Sequence, residues 1–108
     1  MEPLLILLYI TCHDAEQANT IAHIVISEQL AACANIFPEM QSIYRWDGKL
    51  NSSTEAVLIL KTSDHLRQRC RDRVRQLHSY QVPCILEIPI SGGNNEYIRW
   101  LVGQTLPP

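Results

Sequence analysis

Apolar and β-branched residues concentrate in runs that are typical of buried strands. Residues 4–11 predict a first strand and residues 84–90 a last one. Between them, residues 31–50 form two extended arms joined by Asp47 and Gly48, a dipeptide that strongly favours a type I′ hairpin turn. The second arm continues into the apolar segment 56–60. The pattern therefore predicts four strands, with the middle two joined as a long hairpin.

Apolar residues at helical spacing predict two helices between these strands. The first is expected from about residue 15 to 29, where Asp14 offers an N-cap and Gln17 completes a pattern like a capping box. The second begins near Ser63 or Asp64 and has a core-facing stripe at spacings of 4, 4 and 3 residues. That stripe consists of Leu66, Cys70, Val74 and Leu77.

The resulting order is βαββαβ, followed by a short helix that Asn94 or Asn95 can cap. This order predicts an α+β, ferredoxin-like split βαβ fold in a single domain over residues 1–108. We expect an antiparallel sheet of order 4-1-3-2 with both main helices on one face. Pro38 removes a backbone donor from the first arm of the hairpin, so we expect a bend or bulge there, on an edge strand.

The predicted hairpin is longer than one small sheet requires. Residues 32–46 would reach ~50 Å if fully extended at about 3.3 Å per residue. A long apolar ribbon beside an uncovered sheet face indicates an association surface. A closed homo-oligomer, in which each hairpin lies against a neighbouring subunit, would cover both the ribbon and the sheet face.

Composition indicates an ordinary globular protein. The hydrophobic fraction is 46%, the charged fraction is 19%, and the net charge of −2 gives no reason to expect nucleic acid or a membrane as a partner. The apolar run 4–10 is too short to span a bilayer and lacks the flanks of a signal peptide. We therefore expect a cytoplasmic protein.

The cysteines and arginines have structural interpretations of their own. Cys12, Cys33, Cys70 and Cys84 show no zinc-site spacing and are expected to be reduced thiols, with Cys70 in the core.

Five arginines alternate along the second helix and fall on both sides of its apolar stripe, as in a solvated helix. They are Arg67, Arg69, Arg71, Arg73 and Arg75.

Several segments resemble one known family. They are Thr11-Cys12 with Asp14, residues 28–36, residues 42–49, Lys61-Thr62, residues 78–83, and Gly93-Asn94 with Tyr97 and Trp100. In this order they cover nearly the whole chain and are similar to the CutA divalent-cation-tolerance family. The resemblance implies a ferredoxin-like subunit, a compact homotrimer with β-pairing between subunits, and tolerance of divalent metals, with copper binding in some members. It implies no enzymatic activity.

Three positions depart from the family pattern. His13 and Ser79 stand where the family usually has proline, and Cys84 stands where it usually has glutamate. The last change puts a glutamate-dependent site in doubt, although a thiol is a softer metal ligand that could substitute.

The predicted topology brings candidate metal ligands to one end of the fold. Cys12 and His13 end the first strand, Cys84 opens the fourth, and His78 leaves the second helix at the same end. Thiolate and imidazole groups suit copper, zinc or another soft to borderline metal. The start of the first helix is expected to favour the Cys12 thiolate.

Other residues are expected to line the clefts between subunits. Tyr80 lies on the exit loop of the second helix, and Arg45 and Trp46 lie at the hairpin tip, from the same or a neighbouring subunit. Cys33 is expected at the opposite end. The structural interpretation of Cys12 as a packed strand residue, His78 as a capping or loop histidine and His13 as merely exposed stays open.

Two further function classes stay open beside a metal-tolerance trimer. A non-catalytic trimer like the PII signalling proteins would bind a small ligand or an unidentified partner protein in the same clefts, an inference from fold alone. An enzyme using Cys12 as nucleophile and His78 as base would require a selectively reactive thiol.

Overall fold

The strands and helices follow the predicted order. The computed structural model describes residues 4–108. Its elements are β1 (Leu5–Cys12), α1 (Ala15–Ser27), β2 (Cys33–Trp46), β3 (Lys49–Ser63), α2 (Arg67–Leu77), β4 (Ile85–Ile90) and α3 (Asn95–Gly103). A short 3₁₀ turn, Asp64–Leu66, leads into α2. The predicted ends differ from these by one or two residues in β1, α1 and β4.

All strand pairs are antiparallel, and the sheet has the order β2-β3-β1-β4. This confirms the ferredoxin-like fold class and the predicted order. Asp47 and Gly48 have φ of 51° and 73°, as a type I′ turn requires. The β2–β3 register shifts between Phe37 and Met40, which confirms the irregularity expected beside Pro38 on the edge strand.

Local hydrogen bonds fix both ends of α1. The Asp14 side chain accepts from the Gln17 backbone N–H at 2.9 Å, and the Gln17 side chain accepts in turn from the His13 N–H at 2.9 Å. At the other end the Leu30 N–H reaches the Val25 carbonyl at 3.1 Å, and Gln29 has φ of 59°. This is a Schellman ending with glutamine in the left-handed position, and it stops the helix two residues before the expected end.

The core lies between one face of the sheet and the helices α1 and α2. Along β1 and β3 the even-numbered side chains enter it, as the two-residue period of a strand dictates. They are Ile6, Leu8, Ile10 and Cys12 from β1, and Ala56, Leu58 and Leu60 from β3. The predicted cap of the second helix is absent, because neither Ser63 nor Asp64 makes a capping side-chain bond to that helix. The Ser63 hydroxyl instead pairs with Thr105 at 2.9 Å.

The hairpin extends past the rest of the sheet. β1 ends opposite Ala56, so β3 residues 49–55 pair with β2 alone. We call residues 40–55 the hairpin arm. The arm contributes to an elongated subunit with extents of 47 × 25 × 21 Å. None of the helices in residues 4–108 combines the length and apolar character that crossing a bilayer would need.

Candidate functional site

A groove of about 420 Å³ lies between the hairpin arm and the loop that precedes β4. Its lining residues are Thr11, Tyr44, Trp46, Asn51, Glu55, Tyr80, Gln81, Val82 and Cys84. They come from the end of β1, both strands of the arm and the α2–β4 loop. The volume lies within the usual range of small-ligand sites. We call this cleft the arm groove.

Tyr80 connects the α2–β4 loop to the arm. Its hydroxyl donates to Glu55 Oε2 at 2.8 Å. Burial, reinforced by this bond and by the Glu55 charge, raises the pKa of Tyr80 to about 12. The phenol therefore stays protonated at neutral pH and acts as a donor that holds the two segments together.

His78 packs beside Tyr80 and forms hydrogen bonds through both ring nitrogens. The Tyr80 backbone N–H donates to Nδ1 at 3.1 Å, so Nδ1 accepts and the proton of the neutral ring is on Nε2. Nε2 then donates to the Thr11 carbonyl oxygen at 2.7 Å, and the rings of His78 and Tyr80 lie 4.8 Å apart. A metal ion could bind His78 only by replacing one of these bonds.

Cys12 is fully buried within the core. Burial, followed by the charges of Glu55 and Asp14, raises the pKa of Cys12 to about 11. The expectation that the start of α1 favours the thiolate is wrong, because desolvation and the two carboxylates outweigh the helix terminus. A buried thiol of this kind lacks the exposure and low pKa of a reactive cysteine.

Cys84 and Cys12 lie on opposite faces of the sheet. The Thr11 N–H donates to the Cys84 carbonyl at 3.3 Å, which continues the register that pairs Ile10 with Ile85. Thr11 and Cys84 are therefore opposite neighbours on one face, and both line the arm groove. Cys12, one residue further along β1, points to the helix-covered face.

The four predicted ligands do not form one group within a subunit. His13 is exposed, with Nε2 4.0 Å from Asp14 Oδ2. Across residues 4–108 there is no cluster of three or more His, Cys, Asp or Glu side chains arranged to hold a metal ion. The residues of one subunit therefore do not fit a complete metal site, and a role for Cys12, His13, His78 or Cys84 in an assembled site stays a prediction.

Two of the three residues expected to line the cleft do so. Trp46 and Tyr80 line the arm groove, whereas the Arg45 guanidinium donates to the Gly48 carbonyl at 3.3 Å. Arg45 is therefore engaged with its own turn. Sequence reasoning missed Glu55 and Tyr44, although Glu55 is the one acidic residue in the second arm of the hairpin, an unusual strand position that would have marked it.

The other two cysteines lie elsewhere. Cys33 lines a second groove of about 450 Å³, between α1 and the start of β2, which confirms its separation from Cys12. Cys70 is fully buried in the core as predicted, and burial raises its pKa to about 12.

Known proteins with this sequence pattern share both the family and the fold. Residues 6–104 match the family described as "CutA1 divalent ion tolerance protein". A "Divalent-cation tolerance protein CutA" of Thermus thermophilus is 45% identical over 96 residues, covering 89% of this chain and 93% of that protein. The chloroplastic "Protein CutA" of Arabidopsis thaliana is 38% identical over 100 residues, but the chain spans only 55% of its length.

Solved structures agree with these sequence relatives. A divalent cation tolerance protein (Cut A1) from Thermus thermophilus has a TM-score of 0.90 and 42% identity, with 94% of this chain and 98% of that chain covered. CutA1 from Oryza sativa has a TM-score of 0.95 and 37% identity over 99% of this chain and 98% of that chain. The chain belongs to the CutA1 divalent ion tolerance family.

Proposed function

We propose that this chain provides tolerance to divalent cations as a cytoplasmic homotrimer, with the arm groove at the boundary between subunits. The observation that carries the proposal is the exposure of apolar residues on the hairpin arm. Ile43 and Leu50 are each 73% exposed, and Trp46 is 58% exposed. An arm of this kind is expected to pack against a neighbouring subunit.

The open sheet face supports the same assembly. Leu86 and Ile88 on β4 are exposed large apolar residues on the sheet face opposite α1 and α2. Three subunits related by a closed rotation could cover each arm and each open face with the same contact. The resemblance to the CutA family favours three subunits over two. The four free thiols agree with a reducing compartment.

In this trimer, copper or another soft to borderline divalent metal would bind at the arm groove. Cys84 is the candidate ligand that lines the groove, and its thiol suits such metals. Because one subunit supplies too few ligands, the remaining ones would come from a neighbour or from His78 after it releases a backbone partner. Metal binding would then depend on assembly.

Copper titration of the reduced, assembled protein tests this proposal. Cys84→Ser is expected to weaken copper affinity by roughly tenfold or more, as loss of a metal-site group does. Cys33→Ser is the matched control, because that partly exposed thiol lies in the other groove. Unchanged affinity in both Cys84→Ser and Cys12→Ser would exclude these thiols as ligands.

A second candidate is a non-catalytic trimer that binds a small molecule or a partner protein. The lack of a three-ligand metal group in residues 4–108 favours it, as does the mixed aromatic and polar lining of the arm groove. Binding of a ligand or protein by metal-free trimer would support this candidate over metal binding.

A further inference from the structure

The described residues that line the arm groove carry a single formal charge. Of the nine that belong to residues 4–108, Glu55 is the only Asp, Glu, Lys or Arg. The Tyr80 hydroxyl occupies Glu55 Oε2 and leaves Oε1 available to a ligand. Within residues 4–108 no lysine or arginine lines the cleft to attract an anion, and Lys49, which pairs with Trp46, lies at the tip of the arm outside the lining. The electrostatics of the groove therefore favour a ligand with one positive charge.

Three aromatic side chains line the same groove as this carboxylate. Tyr44 and Trp46 come from β2, and Tyr80 from the α2–β4 loop. Their order along β2 places Tyr44 and Trp46 on the same face, two residues apart. Aromatic faces attract cations, and tryptophan does so most strongly. The groove thus combines a carboxylate with three rings.

We propose that the arm groove binds an organic ammonium ion, its charge neutralised by Glu55 and its carbon substituents packed on Tyr44 and Tyr80. A quaternary or methylated ammonium is weakly hydrated and enters an aromatic site at low desolvation cost. A divalent metal instead requires several oxygen, nitrogen or sulfur ligands, and residues 4–108 hold no group of three. Within one subunit the chemistry of the lining therefore suits a bulky monovalent cation without a further ligand from a neighbour.

This inference rests on the proposed function only in taking the same groove as the binding site. Metal binding there would use the Cys84 thiol, whereas ammonium binding uses Glu55 and the rings. The two can therefore fail separately. Loss of ammonium binding with copper affinity retained would refute this inference alone.

Calorimetric titration of the metal-free, 108-residue protein with choline tests the inference. The neutral isostere 3,3-dimethylbutan-1-ol has the same shape without the charge, so choline is expected to bind at least ~10-fold more tightly. Glu55→Gln keeps an oxygen for the Tyr80 hydroxyl and is expected to lower choline affinity about tenfold. Glu39→Gln, an exposed glutamate outside the groove, is the charge-matched control and should leave affinity unchanged.

Tyr44→Leu provides a second test that does not depend on the carboxylate. Tyr44 is partly exposed in the single subunit, and we expect roughly threefold weaker choline binding in a variant whose size on chromatography matches that of the wild type. Equal affinity for choline and its neutral isostere would overturn the proposal. So would the absence of saturable choline binding up to roughly 50 mM, weaker than any specific site of this kind.

Discussion

The base of the sheet and the hairpin arm use continuous β-strands in opposite ways. In the base, alternate residues of β1 and β3 enter a core under α1 and α2, and Leu58 is fully buried. Near the start of β3, in the arm, Leu50 is 73% exposed. It is the one apolar residue of β3 residues 49–55, and the other exposed large apolar residues of the arm, Ile43, Tyr44 and Trp46, lie on β2.

The apolar residues of the base are buried within one subunit, whereas those of the arm would be buried only in an assembly. Core residues in the base contribute to the free energy of unfolding of each subunit by removing apolar area from water. Apolar residues on the arm contribute nothing comparable until a second surface covers them. Substitutions in the two regions should therefore affect different measurements.

The largest effect is expected from Leu58→Ala. The substitution leaves a cavity between the sheet and the helices, and it should lower the free energy of unfolding by about 3 kcal/mol. Leu50→Ala removes the same atoms from a site that is exposed in the single subunit, so in dissociated protein it should lower the free energy of unfolding far less. Denaturant unfolding at a protein concentration low enough to dissociate the assembly measures both, since assembly makes stability depend on concentration. Similar losses in the two variants would contradict the division between base and arm.

A charge on the arm should instead change the assembly. Leu50→Asp would place a carboxylate where we expect a neighbouring subunit, and an unpaired buried charge is costly. Light scattering after size-exclusion chromatography should show a shift from trimer towards monomer, with the far-UV circular dichroism of each subunit retained. Leu50→Met, which keeps the site apolar, should remain assembled. A wild-type protein that is monomeric at micromolar concentration would refute the trimer itself.

The sequence could predict the features that depend on residues close together in the chain. The type I′ turn, the irregularity beside Pro38 and the Asp14 cap are of this kind, and all three are present. The end of α1 was missed by two residues, because a glutamine in the left-handed position is a rare signal.

The site was harder to predict because it depends on sheet register. Cys12 and Cys84 approach the same end of the fold, but a one-residue difference in register decides which face each thiol occupies. The contact between Glu55 and Tyr80 joins residues 25 apart, and no local pattern specifies it. The topology could therefore be predicted from periodicity, whereas the groove required the positions of the side chains.

The smallest effect is expected at the hydrogen bond that connects base and arm. Glu55→Gln removes the charge beside Tyr80, so the Tyr80 pKa should fall from about 12 towards 10, although burial, the larger cause, remains. Because folding raises this pKa, the associated stability is present below the unfolded value and is lost as pH rises through the folded one. An ultraviolet titration of tyrosine ionisation measures the change, with Glu39→Gln as control. A Tyr80 pKa unaffected by Glu55→Gln would show that the carboxylate does not act on the phenol and that the loop and the arm are not coupled through this bond.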